Sequence, residues 1–197
     1  MNLANKITTS RILLSFVLFA MLSFLEKDSR PKWWFLTLCG LLFIGITATD
    51  ALDGYVARRL KQVSDFGRIA DPAADKIAIC GTFIFLTALP WAPPVLPPWV
   101  VVVIVAREFV VSGIRGFFEA RGQSFASDWA GKTKMISQCV AIPSVLFYKI
   151  IDTMAPDLSS YARVLSQVLV GLAALLTLYS GVNYIRKAAA LLKHDAW

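Results

Sequence analysis

Six apolar runs separated by short polar segments constrain this chain more than any other feature. A helix needs about 20 mostly apolar residues to cross a bilayer, so six such helices use about 120 of the 197 residues. Hydrophobic residues make up 57% of the chain and charged residues only 17%, whereas a soluble domain is about 25% charged. We therefore predict an all-α polytopic membrane protein whose residues 1-197 form a single membrane domain. The runs span residues 12–25, 33–49, 77–89, 98–111, 135–151 and 165–184.

The positions of lysine and arginine predict the orientation in the membrane. If both termini lie in the cytoplasm, fifteen of the twenty basic residues fall on the cytoplasmic side, where membrane proteins concentrate them. The uncharged, proline-rich segment 90–98 then forms a tight turn on the opposite side. Attraction to anionic lipid head groups accounts for the net charge of +7, so we expect no nucleic acid as a partner.

Acidic residues cluster where the second run meets water, a position that marks a candidate functional site. If the second run continues as a helix, one of its faces carries two carboxylates, two small side chains and a cation. This face suits metal binding beside a bulky ligand that approaches closely, and a solvated, salt-bridged loop is the alternative for any one residue. The face consists of Asp50, Asp53, Gly54, Ala57 and Arg58.

The segment directly before the third run supplies two more carboxylates. Asp71 and Pro72 together predict a helix start, with Asp71 as the N-cap and Pro72 at the first helical position. Asp71 and Asp75 share a helical face, and Gly67 precedes Asp71 by four residues. Four clustered carboxylates need cations to offset their repulsion, and oxygen ligands without His or Cys select Mg²⁺ or Mn²⁺. Paired ions of this kind serve phosphoryl or phosphatidyl transfer.

The pattern D-x-x-D-G-x-x-A-R-x8-G-x3-D-x3-D, which runs from Asp50 to Asp75 without a departure, resembles the signature of the CDP-alcohol phosphatidyltransferases. The resemblance implies six transmembrane helices, an interfacial amino-terminal helix and a homodimer. It also implies two Mg²⁺ ions per active site, with Mn²⁺ as the alternative metal. The implied metal ligands are Asp50, Asp53, Asp71 and Asp75.

The resemblance also assigns roles to individual residues. Asp75 is the general base that takes the proton of the acceptor hydroxyl. Ser64 either contacts the nucleotide phosphates or is a plain turn serine, and Asn5 and Thr8 either reach the nucleotide or cap a helix. The remaining residues expected to bind the CDP-lipid are Asp53, Gly54, Ala57, Arg58 and Gly67.

Basic residues at the ends of the fourth and fifth runs predict a second site. Arg107 and Arg115 lie eight residues apart and so share a helical face, and Lys132 and Lys134 open the fifth run. Together they predict a phosphate-binding site, and anchoring by the positive-inside rule is the alternative.

Further stretches, N-x-x-T-x-x-R at 5–11, AREFVVSGIR at 106–115 and WAGKTK at 129–134, resemble the bacterial branch of the family that uses glycerol 3-phosphate. This resemblance implies transfer of the phosphatidyl group from CDP-diacylglycerol to glycerol 3-phosphate, giving phosphatidylglycerophosphate and cytidine monophosphate. It also implies a bacterial inner-membrane location with the active site on the cytoplasmic side.

Two alternatives stay open at this point. The same chemistry serves other acceptors, namely inositol phosphate or, in cardiolipin synthesis, phosphatidylglycerol. An ion transporter with interfacial carboxylates is a different class, but the acidic residues cluster at one membrane face and no inverted repeat is visible. Nucleotide-dependent product formation without ion flux separates the two classes.

Overall fold

The computed structural model describes residues 3–26, 31–60, 65–122 and 129–194, and in these ranges all regular structure is helical. This confirms the all-α prediction. A short 3₁₀ turn at Pro156–Leu158 precedes the last helix. The six α-helices are α1 (Leu3–Glu26), α2 (Trp33–Leu60), α3 (Asp65–Thr87), α4 (Pro98–Ala120), α5 (Trp129–Met154) and α6 (Ser159–His194).

Helix α1 is continuous from Leu3 to Glu26. The sequence of this segment contains neither glycine nor proline, the two residues that most often interrupt a helix. The described part of α1 is therefore one element, and the interfacial position of its first turns stays a prediction.

Helix α2 runs without a break for 28 residues, from Trp33 to Leu60. Its length of about 42 Å exceeds the roughly 30 Å thickness of a bilayer's hydrocarbon core. The prediction that the polar segment after residue 49 continues the second helix is confirmed.

The predicted start of the third helix at Asp71 is wrong. Helix α3 begins at Asp65, and Pro72 lies inside it. The Asp71 carboxylate does not cap this helix but accepts a hydrogen bond from the Thr8 hydroxyl of α1, over 2.5 Å. A hydrogen bond between two helices, from residues that lie 63 positions apart in the chain, thus replaces the local capping contact that the sequence suggested.

Helix α3 contacts α1, α2, α4 and α5, while α5 also packs on α2 and α6, α1 on α2, and α4 on α6. The main core includes Leu22, Phe43 and Phe83, none of which is exposed to solvent. Gly81 of α3 allows a close approach of α1, because a Cβ atom there would lie 2.2 Å from the Phe19 ring.

Large apolar side chains also cover much of the outer surface, including Phe24 at 71% and Leu175 at 66% exposure. Exposed apolar surface on this scale is typical of a protein whose solvent is lipid. Within the described residues, three helical segments are long and apolar enough to cross a membrane, and Trp33–Thr49 is a shorter apolar helix. The count of six spans stays a prediction. The three long segments are Asn5–Leu25, Trp129–Met154 and Pro156–Leu192.

Candidate functional site

Asp71 and Asp75 form one half of the site, on the first turns of α3. Asp71 is exposed and Asp75 is half-buried. The Thr8 side chain is only 2% exposed, and its hydroxyl donates to Asp71 Oδ1 over 2.5 Å. Thr8 lies in the second turn of α1, so it orients a predicted metal ligand instead of capping its own helix.

Small side chains next to these carboxylates let α1 pack closely. Ala70, Ala74 and Ala78 are buried on α3, and Gly67 is buried with them. This stripe at helical spacing lies beside Asp71 and Asp75. Asn5 is half-buried on α1, one turn from Thr8. Its backbone carbonyl accepts a hydrogen bond from the Thr9 hydroxyl over 2.8 Å.

The remaining predicted ligands lie on the carboxyl-terminal end of α2. Helical backbone through Leu60 gives residues 50, 53, 54, 57 and 58 the spacing of a single face. The side chains of Asp50, Asp53, Gly54, Ala57 and Arg58 lie outside the described part of the structure, as does the whole of Ser64. Their predicted roles in metal and CDP-lipid binding stay predictions.

A basic cluster between α4, α5 and α6 forms the other half of the site. Arg107 donates from Nη1 to Glu108 Oε1 over 3.0 Å and from Nη2 to Ser180 Oγ over 2.6 Å. Lys134 Nζ donates to the same Glu108 oxygen. The side chains of Arg107, Glu108 and Lys134 are only 9%, 13% and 7% exposed. Their charges therefore interact in a setting that water screens only weakly.

Tyr184 connects the two arginines. Its hydroxyl accepts a hydrogen bond from Arg115 Nη2 over 3.0 Å, and the Arg107 guanidinium lies 5.6 Å from the centre of its ring. The structure therefore brings Arg107, Arg115 and Lys134 together, as the shared helical face of the arginines had indicated. Three cations and one carboxylate give this basic cluster a formal charge of +2.

Lys132 lies apart from the basic cluster. It is exposed, and its ammonium group lies 5.5 Å from the centre of the Trp129 ring. Residues two apart on a helix point to nearly opposite sides, so Lys132 and Lys134 cannot both point towards Glu108. The predicted role of Lys132 in acceptor binding stays a prediction.

Two members of the cluster, Ser180 and Tyr184 on α6, were not predicted from the sequence. One turn deeper, Gln138 Nε2 of α5 donates to Thr177 Oγ1 of α6 over 3.0 Å, and both residues are fully buried. The available signal was the spacing of Thr177, Ser180 and Tyr184, which places three polar groups on one face of an apolar helix.

The two halves of the site are neighbours across α3. This helix packs on both α4 and α5. Lys76, which directly follows Asp75, lines one cavity together with Glu108, the carboxylate that holds Arg107 and Lys134. A ligand that lies over the start of α3 thus meets carboxylates on one side and cations on the other.

The two halves of the site offer two different kinds of ligand group. The carboxylates of Asp71 and Asp75 are oxygen donors of the kind that hard divalent cations prefer. The described residues contain no group of three or more carboxylate, histidine or cysteine side chains that could hold a metal ion, so the Mg²⁺ site stays a prediction. The basic cluster, with its excess positive charge and arginine forks, fits a phosphate group. The two halves therefore suit a reaction between a metal-bound phosphate ester and a second, phosphorylated molecule.

Comparison with known sequences shows the family of this chain. The sequence profile of the CDP-alcohol phosphatidyltransferases matches residues 1–179, and the chain belongs to this family.

Individual relatives point to one branch of the family. A protein of Bacillus subtilis is 35% identical over 158 residues, covering 76% of this chain and 78% of the relative. One of Arabidopsis thaliana is 34% identical, covering 79% and 68%, and one of Haemophilus influenzae is 28% identical, covering 95% and 93%. The bacterial proteins are each named CDP-diacylglycerol–glycerol-3-phosphate 3-phosphatidyltransferase, and the plant protein bears the same name with the number 2.

Proposed function

We propose that this chain transfers the phosphatidyl group of CDP-diacylglycerol to glycerol 3-phosphate and releases cytidine monophosphate. Family membership and the names of the relatives support the reaction. The observation that carries the choice of acceptor is the basic cluster. Its formal charge of +2 complements the phosphate group of glycerol 3-phosphate, and its arginines offer forked hydrogen bonds to that group.

On the donor side, the proposal gives the carboxylates two tasks. Asp50, Asp53, Asp71 and Asp75 would hold two Mg²⁺ ions, and ions held there would neutralise the diphosphate of the CDP-lipid. Thr8, through its bond to Asp71, keeps one of these carboxylates oriented. Arg58 adds positive charge for the nucleotide phosphates.

The proposed chemical step is a direct displacement. The acceptor hydroxyl attacks the phosphorus that carries the diacylglycerol, and Asp75 takes the proton of that hydroxyl. The bond between this phosphorus and the oxygen of the leaving cytidine monophosphate breaks. Cations around the phosphorus lower the barrier to the extent that they stabilise the transition state more than the bound substrates.

The proposal includes a location and an assembly. The excess of lysine and arginine in the segments assigned to the cytoplasm supports an integral protein of a bacterial inner membrane, with both termini and the active site inside. The family resemblance supports a homodimer.

The test is an assay of the purified protein in detergent with CDP-diacylglycerol, Mg²⁺ and one acceptor at a time. We expect phosphatidylglycerophosphate and an equal amount of cytidine monophosphate with glycerol 3-phosphate, and loss of both products when a chelator removes the metal. A preference for inositol phosphate or phosphatidylglycerol would contradict the proposed acceptor. Ion flux in proteoliposomes without nucleotide turnover would contradict the enzyme itself.

A further inference from the structure

A groove with a volume of about 400 Å³ lies between the first turns of α5 and the middle of α6. This volume is within the range of about 300–1,000 Å³ that is typical of small-molecule sites. The groove is therefore large enough for a ligand. Its lining residues are Trp129, Ala130, Thr133, Leu176, Tyr179 and Asn183.

The groove is distinct from the candidate functional site, although both use α6. Ser180 and Tyr184 contact the arginines of the basic cluster. Tyr179 and Asn183 each precede one of these two residues, and neighbouring residues on a helix point about 100° apart. The groove therefore opens on a different side of α6, and a ligand can lie in it without contacting the basic cluster.

The lining of the groove changes from apolar to polar along α6. Leu176 forms the apolar end, and Asn183, about 10 Å further along the helix, offers an amide at the polar end. Tyr179 lies between them, and its ring and hydroxyl are 61% exposed. A ligand that matches this gradient has an apolar part beside Leu176 and hydrogen-bonding groups beside Asn183.

The position of the groove relative to the apolar segments indicates what surrounds it. Trp129, at the polar end, is 81% exposed and is the first residue of the long apolar segment Trp129–Met154. Tryptophan is enriched where a span meets the lipid head groups. Beyond the apolar end, Val140 and Leu172 continue the lining faces of the two helices and are 47% and 50% exposed. Lipid head groups therefore border one end of the groove, and lipid chains border the other.

Basic residues surround the polar end of the groove. The Lys132 ammonium group lies 5.5 Å from the centre of the Trp129 ring. Arg186 and Lys187 follow Asn183 by three and four residues, so they lie one turn beyond it on the same side of α6, and both are exposed. None of the lining residues is acidic. The polar end therefore complements a negatively charged head group.

We infer that this groove binds one bilayer phospholipid with an anionic head group, outside the candidate functional site. The phosphate of the lipid lies near Lys132 and Asn183, and its chains run past Leu176 along the exposed apolar surface of α5 and α6. A soluble phosphate compound has no apolar part for Leu176 and the aromatic lining, so the lipid is the better match to the whole groove. The binding does not depend on the proposed reaction.

Fluorescence quenching by brominated lipids tests the inference, because bromine on a lipid chain quenches only the indole rings close to it. The full chain is reconstituted into vesicles of dioleoylphosphatidylcholine that contain increasing fractions of brominated phosphatidylglycerol or of brominated phosphatidylcholine. The signal of Trp129 is the emission that is lost in Trp129→Phe. The lipid fraction that quenches half of this signal should be at least about fivefold lower for the anionic lipid, since one basic residue near a lipid surface contributes about this factor.

The first pair of variants tests the charge beside the groove. Lys132→Gln should reduce the preference for the anionic lipid about fivefold. Arg121→Gln is the matched control and should leave the preference within about twofold. Arg121 is also an exposed cation over an aromatic ring, 4.1 Å from the centre of Phe117, but it lies at the end of α4, which does not line the groove.

The second pair tests the groove itself. Thr133→Phe fills the groove and should abolish the preference for the anionic lipid. Thr153→Phe is the matched control, because both threonines are exposed on α5 and donate to the carbonyl four residues earlier, but Thr153 does not line the groove. Each variant is measured with and without Trp129→Phe, so that the same signal is compared throughout.

Three results overturn the inference. The first is equal quenching by both lipids in the unmodified chain, and the second is a preference that survives either Lys132→Gln or Thr133→Phe. The third is the absence of quenching by either lipid, because a second copy of the chain then covers the groove. If Thr133→Phe does not fold, Asn183→Leu replaces it and must lower the preference in the same direction. Failure of the proposed function is separate, because these measurements record binding without turnover.

Discussion

Replacing Arg107 by alanine removes the residue on which most contacts of the basic cluster converge. Its guanidinium bonds to Glu108 and Ser180 and lies over the Tyr184 ring. If it also holds the acceptor phosphate, the variant loses a hydrogen bond to a charged group, worth about 1.5–3 kcal/mol. The apparent affinity for glycerol 3-phosphate should then fall about 10- to 150-fold.

The structure indicates that Arg107→Ala lowers the affinity for the acceptor rather than the stability of the fold. In Arg107→Ala, the Glu108 carboxylate keeps Lys134 as its partner, so no buried charge is left without compensation. The formal charge of the cluster drops from +2 to +1. Arg107→Lys restores the charge without the planar fork and should recover only part of the affinity.

The assay varies each substrate separately while the other is saturating. The KM for glycerol 3-phosphate should rise in Arg107→Ala while the KM for CDP-diacylglycerol stays within about threefold, a change of roughly 0.6 kcal/mol. Arg163→Ala is the control, since Arg163 is an exposed arginine near the start of α6, far along the helix from Ser180. An equal loss for both substrates would indicate damage to the fold, and no loss would leave Arg107 as a membrane anchor. Either result refutes the acceptor role.

Three further predictions follow from the described contacts. Asp75→Asn should lower turnover at least about 100-fold, measured as release of cytidine monophosphate, and near-normal turnover would contradict the general-base assignment. Thr8→Val, which loses only the hydroxyl bonded to Asp71, should raise the Mg²⁺ concentration for half-maximal activity about tenfold or more, whereas Thr8→Ser should not. Gly81→Ala should destabilise the protein by about 1–3 kcal/mol through its clash with a neighbouring ring. Gly113→Ala, which has open space around it, should be neutral or stabilising by up to about 1 kcal/mol, and equal unfolding temperatures for both glycine variants would contradict the close packing.

Local patterns predicted the helices well where the stabilising contacts are themselves local. The polar stripe from Asp50 to Arg58 kept helical spacing, and α2 does continue through it. The start of α3 was missed because Asp71 has two possible partners, its own backbone and another helix. Its partner is Thr8, 63 residues earlier, and no local rule identifies such a contact.

In the basic cluster too, the sequence predicted what local spacing determines and missed what depends on packing between helices. The eight-residue spacing of Arg107 and Arg115 predicted a common face, and both contact Tyr184. Tyr184 itself could not be assigned without knowing that α4 packs on α6. The surroundings of Lys132, in contrast, were implicit in the sequence, because a helix that turns Lys134 inward turns the residue two positions earlier outward.

Two of the helices that carry the site, α3 and α4, are not among the three long apolar segments of the described residues. These two helices carry the charged residues Asp71, Asp75, Arg107 and Glu108. Charges inside a membrane protein are tolerated when they pair with one another and face the interior. On α4, Glu108 pairs with two cations, and α6 supplies hydroxyl partners for the arginines. The contacts within the basic cluster, which is the proposed phosphate site, therefore also hold α4 against α5 and α6.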